Sequence, residues 1–317
     1  MTQRQRFKEF RRNYNNYKVT KINYSSTDIS SFDLSQQDIK QLNKFFPKGI
    51  VCFDVETTGL SPLMHEIIEI AGIKVHGHKV EFFSELIKPN ITIPDKTIKI
   101  HGITNEAVKD ADSAKIVIPQ FLDFIRGHSL VAHNAKFDVG FLVNYMHHKK
   151  LEIFFSEIYC SCKLARQVIK SENHKLSTLC EFLEISLENH HRALDDSVAT
   201  IKVFARSLAE LTGERHLKKG YLFNLKDFAN KEMLLPKKIE GLKEYVDEQK
   251  VVDIKYRGGS MKGQYRPIRP LSFLPLPEGN VLYAHCLTSD LYKSFKLTKI
   301  ADFRETANKE NDQGEQS

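Results

Sequence analysis

The strongest constraint on this chain is a set of four acidic residues and one histidine whose local patterns all point inward. Asp54 and Glu56 stand in FDVETTGL, Asp138 in AHNAKFDVGFL, and Asp196 with His191 in HHRALDDS. Asp54 and Glu56 are two apart on a predicted strand, so both leave one face while Val55 points into the opposite core. The apolar residues ahead of them and the hairpin pattern behind mark a central strand, where uncompensated acids are costly. Asp138 sits early on a helix, on the side that Phe141, Leu142 and Tyr145 mark as buried. Carboxylates crowded into one site repel each other and resist desolvation unless a cation neutralises them. Oxygen donors with one imidazole nearby suit Mg²⁺ or Mn²⁺, ions that serve phosphoryl transfer and hydrolysis.

The helix expected over 192–211 separates two adjacent acids. Ala193, Leu194, Ile201, Phe204 and Leu208 form its core stripe, and Asp195 shares the far face with Lys202 and Arg206. Asp196 has the small uncharged neighbours Thr200, Val203 and Ser207 along its edge. Asp196 is therefore the expected ligand and Asp195 the surface residue. His191 precedes the helix at a position able to reach a water, and His190 is expected to be exposed. His133 and Asn134, in the turn before Asp138, read as loop-fixing and substrate-orienting residues.

A chain of 317 residues has room for two domains. Its net charge of +7 is uneven. Residues 1–48 carry ten basic against four acidic residues, 49–213 eighteen against twenty-one, and 214–317 nineteen against fifteen. An acidic middle between basic ends fits a metal-loaded site with flanks that attract a polyanion. The five scattered cysteines show no zinc spacing and read as reduced thiols in a cytoplasmic protein. No apolar run approaches a membrane span and the start reads as no secretory signal, so neither a membrane nor export is expected.

Phe7, Phe10, Tyr14 and Tyr17 predict an amphipathic helix over 2–18, and a short helix over 35–46 ends at Pro47. Together they suggest a basic helical extension over 1–48. Strands are expected at 49–56, 65–75, 79–89 and 130–132, with helices near 113–126, 136–149, 162–170, 177–184 and 192–211. That order predicts a mixed sheet flanked by helices over 49–212. A polar linker is expected over 213–235. A helix over 237–248 and short β runs follow within 236–305, a small β-rich unit, before a polar tail over 306–317 that reads as disordered.

In this order DxETTGL, HNAxFDxxFL and HRALDD resemble the three motifs of the DEDDh exonucleases, the DnaQ-like superfamily. KIHGIT and KLSTLCEFL fall where that family has its HGIT and KLxxL segments. The resemblance covers roughly 49–211, and joint occurrence at this spacing is far more specific than one DxE. It implies an α/β RNase H-like fold and removal of nucleotides from 3′ ends of DNA, or of RNA, with two divalent metals. It implies that Asp54, Glu56, Asp138 and Asp196 hold the metals and that His191 is general base. Thr57, Thr58, Gly59 and Leu60 would seat the terminal nucleotide, and His101, Asn134 and Phe137 are further candidates for contact with it. Family members include proofreading subunits, so a polymerase partner is a further expectation, beside a homodimer.

The C-terminal unit resembles a WYL domain, a small SH3-like module, through Arg266-x-Ile268-x-Pro270-Leu271, Leu282 to Cys286, and Phe295-Lys296-Leu297-x-Lys299-Ile300. Asn280-Val281-Leu282 stands where that family has its naming tripeptide. The resemblance implies binding of nucleic acid or a nucleotide-like effector, with Lys255, Arg257, Arg266 and Arg269 as phosphate contacts. A ligand-sensing, nucleic-acid-binding protein with little nuclease activity is the alternative reading.

Overall fold

The computed structural model describes residues 25–28, 34–187, 190–211, 214–229, 234–259 and 261–306. The helix expected over 2–18 and nearly all of the expected tail lie outside the described residues. The first elements are β1 (Ser25–Asp28), α1 (Gln36–Phe45), β2 (Ile50–Thr57), β3 (Ile67–His76) and β4 (Lys79–Leu86). They are followed by α2 (Asp95–His101), α3 (Ala114–Ile125), β5 (Ser129–Ala132) and α4 (Lys136–His148). Next come β6 (Glu157–Cys160), α5 (Ser161–Val168), α6 (Leu176–Phe182), α7 (Ala193–Ala209) and β7 (Tyr221–Asn224). The last group is α8 (Leu242–Glu248), β8 (Val252–Tyr256), β9 (Tyr265–Leu274), β10 (Val281–Cys286), β11 (Leu291–Lys296) and β12 (Ile300–Glu305).

The first seven strands form one mixed sheet in the order β1-β4-β3-β2-β5-β6-β7, with β5 parallel to β2 and to β6 and the other pairs antiparallel. Alternation along β2 divides two cores. Val51, Phe53 and Val55 face one built with Phe121 and Phe124 of α3 and Val139 and Leu142 of α4. Ile50 and Cys52 face the other, built with Ile39 and Leu42 of α1 and Ile201, Phe204 and Leu208 of α7. Asp54 and Glu56 thus point to the α7 side, as the spacing of two requires. Helix α1 starts at a capping box, in which the Ser35 hydroxyl accepts from the Asp38 N–H at 3.1 Å and the Asp38 carboxylate accepts from the Ser35 N–H at 3.2 Å. Such a cap contributes about 1 kcal/mol.

Three expectations need correction. Residues 25–28, assigned to a helical extension, add an antiparallel edge strand to β4. Residues 221–224, assigned to a linker, are β7 and close the other edge against β6, with Leu225 and Phe228 buried just beyond. Each strand has only four residues, too few for alternation to mark it in the sequence. Lys202, expected on a solvated face, is buried, and Arg206 reaches Asp38 of α1 at 2.6 Å, because α1 covers part of that face.

The C-terminal strands form a separate antiparallel sheet, β11-β10-β9-β8-β12, around Leu242, Val246, Ile254, Ile268, Phe273 and Leu282. It packs against the first sheet's helices and the loop that leaves β2. Leu63 and Met64 enter its core, the Ser61 hydroxyl accepts from the Phe273 N–H at 3.3 Å, and Lys96 Nζ donates to the Asp247 carbonyl at 2.6 Å. On the other side Leu274 and Val281 join the core beneath α4. Gly140 of α4 permits this approach, since a Cβ there would already lie 3.3 Å from Pro275. Among the described residues no helix is long and apolar enough to cross a membrane.

Candidate active site

Three elements bring the predicted acids together. Strand β2 supplies Asp54 and Glu56, α4 begins at the end of β5 and supplies Asp138, and α7 crosses β2 and β3 to supply Asp196. They line an open cavity of about 620 Å³ with Val55, His133, Asn134, Phe137, Lys175, Leu176, Ser177, His190 and His191. Carboxylate oxygens of Asp54, Glu56 and Asp196 lie within 4.8 Å of one another. Asp138 is 2% exposed and Asp196 5%.

The electrostatics of this cluster are those of acids short of counter-charge. Burial, then repulsion from Asp138, Glu56 and Asp196, holds the Asp54 carboxyl well above its ordinary range. Glu56 is pushed up to about 8 by burial and by Asp196 and Glu69. Asp138 also rises to about 8, chiefly through burial, although backbone N–H groups at Asp138 and Val55 oppose the shift. Asp196 is raised by burial and partly relieved by His190. Hard divalent cations supply the charge such a donor set lacks, so these four carboxylates fit Mg²⁺ or Mn²⁺.

Histidines rim the cavity. His191 adopts a left-handed backbone (φ 68°) and its N–H donates to Asp196 at 3.2 Å. Its ring stacks on that of His190 at 3.8 Å, and burial together with His190 lowers its pKa. His190 is exposed as expected, yet its Nδ1 lies 2.9 Å from Asp196 Oδ1, a contact its sequence position does not announce. His133 is fixed by Ser161 at 2.7 Å and by the His174 carbonyl at 2.9 Å, and burial lowers its pKa to about 4. It serves as a wall.

The remaining candidates divide. Asn134 and Phe137 line the cavity; Thr57, Thr58, Gly59, Leu60 and His101 are not among its lining residues. Thr58 is fully buried and accepts from the Glu66 N–H at 3.0 Å, and Thr57 donates to the Gly59 carbonyl at 2.7 Å. Both hydroxyls therefore hold the turn, which Gly59 lets pass against His65, where a Cβ would lie only 2.4 Å from the ring. His101 is buried, its Nδ1 accepting from the Ile103 N–H at 3.0 Å. Lys175, Leu176 and Ser177, at the start of α6, join the cavity without having been singled out one by one; the KLSTLCEFL segment was their only signal.

In the C-terminal sheet one expectation fails. Arg266, expected at a phosphate, is 3% exposed, with Nε and Nη2 lacking a hydrogen-bond partner among the described residues and its guanidinium 5.6 Å from the Phe295 ring. Strand alternation turns it inward with Ile268, while Arg269 is half-buried and Arg257 exposed. Lys255 lies 5.7 Å from the Tyr265 ring.

The family described as exonuclease matches residues 51–204. The chain is 42% identical over 164 residues to the DNA polymerase III PolC-type of Caldanaerobacter subterraneus subsp. tengcongensis, covering 51% of this chain and 12% of that protein. It is 31% identical over 278 residues to the DNA polymerase III PolC-type of Clostridium perfringens, covering 81% of this chain and 19% of that one. The chain thus spans less than a fifth of the length of these curated relatives. Among solved structures, exonuclease X in complex with 5′ overhanging duplex DNA is 27% identical, covering 54% of this chain and 98% of that chain with a TM-score of 0.42. The matched segment, residues 51–204, is thus similar to an exonuclease domain.

Proposed function

We propose that this chain removes nucleotides one at a time from the 3′ end of a polynucleotide, DNA before RNA, releasing nucleoside 5′-monophosphates. Asp54, Glu56, Asp138 and Asp196 hold two divalent cations, Mg²⁺ or Mn²⁺. When bound, such ions neutralise charge on the attacking and leaving oxygens of an in-line displacement at phosphorus. His191 is the general base. Its lowered pKa keeps the imidazole neutral at pH 7, ready to take the proton of the water that attacks while the bond from phosphorus to the neighbouring 3′ oxygen breaks. Asn134 and Phe137 orient the terminal nucleotide, and the turn Thr57–Leu60 positions it through the backbone. The observation that carries the reading is the convergence of Asp54, Glu56 and Asp196 within 4.8 Å, beside buried Asp138. The PolC-type relatives favour DNA as the strand and a polymerase as partner. The C-terminal sheet is read as a WYL-like module that strengthens hold on the strand, with Lys255, Arg257 and Arg269 near phosphates.

The test is digestion of 5′-labelled DNA and RNA oligonucleotides with Mg²⁺ or Mn²⁺. A ladder shortening from the 3′ end is expected, lost in Asp54→Asn and His191→Asn. An undiminished ladder from both variants would end the proposal.

A further inference from the structure

Strand β2 delivers Asp54 and Glu56 to the cavity and then leaves its sheet. The β2–β3 pairing slips between Glu56 and Thr57, so the regular ladder ends at Glu56. A bulge at such a place hands the chain to whatever holds the following turn. That turn is closed at its base, where the Thr58 N–H donates to the Glu66 carbonyl at 2.9 Å and the Glu66 N–H to the Thr58 hydroxyl at 3.0 Å. Inside it lies one imidazole. The His65 ring presses on Gly59, where a Cβ would meet it at 2.4 Å, and its Nδ1 lies 3.1 Å from the Ser61 nitrogen and 3.2 Å from the Ser61 carbonyl oxygen.

The ring is tied to the C-terminal unit. His65 Nε2 lies 3.3 Å from an Asp247 carboxylate oxygen of α8, although the two residues are 182 apart in the chain. The His65 side chain is 8% exposed and that of Asp247 49%. A carboxylate at Nε2 keeps the proton on that nitrogen and leaves Nδ1 to accept from the Ser61 N–H. Leu63, Met64 and the Ser61 hydroxyl anchor the far end of the turn in the same unit. Asn144 of α4, the helix that carries Asp138, donates to the Pro62 carbonyl.

We propose that His65 and Asp247 are positioning residues for the terminal nucleotide. Asp247 holds the imidazole, and the imidazole holds the backbone of Thr57–Leu60 at the spacing the cavity's acids require. The proposal rests on the exonuclease reading and makes the C-terminal unit part of the nucleotide seat. A displacement of about 1 Å in a seat of this kind costs far more in turnover than an exposed ion pair contributes to folding. Function and stability therefore separate at Asp247.

The experiment uses the full chain, Mn²⁺ and the p-nitrophenyl ester of thymidine 5′-monophosphate, a substrate with a terminal nucleotide and no strand. Its nitrophenolate leaves phosphorus where the neighbouring 3′ oxygen would. Asp247→Ala is expected to raise KM roughly tenfold with kcat within about threefold of wild type. Asp247→Asn, which still offers an oxygen to Nε2, should restore most of the loss. Lys96→Met is the control, since Lys96 Nζ lies 3.6 Å from the same carboxylate but belongs to α2, outside the turn. Its KM should stay within about twofold of wild type, and all three variants should melt within about 3 °C of it. In metal-free protein, amide exchange over 58–66 should speed severalfold in Asp247→Ala and stay unchanged in β4. Wild-type KM and exchange in Asp247→Ala would overturn the proposal. So would equal losses from Asp247→Asn or Lys96→Met, because the effect would then follow charge and not the bond to His65. A large fall in melting temperature, with kcat and KM damaged together, would overturn it as a merely structural contact. Failure of the exonuclease reading looks different: wild type releases no nitrophenolate, yet exchange over 58–66 still speeds in Asp247→Ala.

Discussion

Glu56 and Glu69 are register partners on β2 and β3, yet they live by different rules. Glu69, 2% exposed, takes the Arg192 guanidinium at 2.8 Å and the Ala193 N–H at 3.0 Å. Glu56 has no comparable partner among the described residues; Arg192 lowers its pKa against burial and three neighbouring acids. Asp38 repeats the first pattern with Arg206 at 2.6 Å. Where an acid serves the fold, this chain brings an arginine to it. Where acids converge on the cavity, no arginine among the described residues pairs with them in this way, and the donor set fits a divalent cation.

The largest effect should separate these classes by what they damage. Asp54→Asn or Asp196→Asn is expected to cut the rate of nucleotide release by about a thousandfold or more, since about 4 kcal/mol of barrier lowering depends on the held cations. The same changes should leave the metal-free protein as stable as wild type or more so, because they remove repulsion. If urea melts show either variant to be strongly destabilised, the cluster is structural and the contrast with Glu69 dissolves.

Glu69→Gln should do the reverse. It leaves Arg192 without its partner at a buried position, and the expected cost is about 2 kcal/mol, below that of a fully buried pair because Arg192 is half exposed. Chemical denaturation measures it, and Arg192→Gln should cost a similar amount. A loss of activity from Glu69→Gln with stability unchanged would move Glu69 into the cavity's class.

The third expectation concerns pH. Glu56 and Asp138 titrate near 8 in the folded protein but near their ordinary values when unfolded, so folding favours their protonated forms. Their contribution is greatest at low pH and falls as pH climbs through 8. Above about 6.5 the unfolded histidines are mostly neutral, so the lowered pKa values of His101, His133 and His191 contribute little there. The melting temperature of metal-free protein should therefore drop between pH 6.5 and 8.5, by on the order of 5 °C. Added Mg²⁺ or Mn²⁺ should abolish the drop, because occupied carboxylates are ionised throughout. A melting temperature that rises across this window without metal would show that the acids are already neutralised.

The cavity's acids were legible because each lies within a pattern of short range: two residues on a strand, a first helical turn, a helix edge. Val55 pointing away and Asp196 turning inward follow from periodicities of 2 and 3.6. What escaped depends on partners distant in the chain. Arg192 reaches back to Glu69 across more than a hundred residues, and β1 and β7, four residues each, are too short for alternation to show. Arg266 misled because its neighbours look like a basic strand, whereas the parity of β9 buries it with Ile268. His190 escaped for a local reason: the left-handed turn at His191 swings both rings to one side, which no side-chain pattern encodes.

The smallest expected effect is the sharpest control. Asp195 and Asp196 are neighbours on α7 with the same chemistry, and only their angles around the helix differ. Asp196 is 5% exposed and faces the cavity, whereas Asp195 is half-buried and outside it. Asp195 favours the helix N-terminus through its charge alone, so Asp195→Asn should change stability by less than about 0.5 kcal/mol. Nucleotide release should stay within about twofold of wild type, since a charge one position round the helix is screened by solvent. A pair of measurements on Asp195→Asn and Asp196→Asn thus holds residue type, helix and substitution constant. If both variants lost activity together, the site would respond to total negative charge near α7, and specific coordination by Asp196 would have to be abandoned.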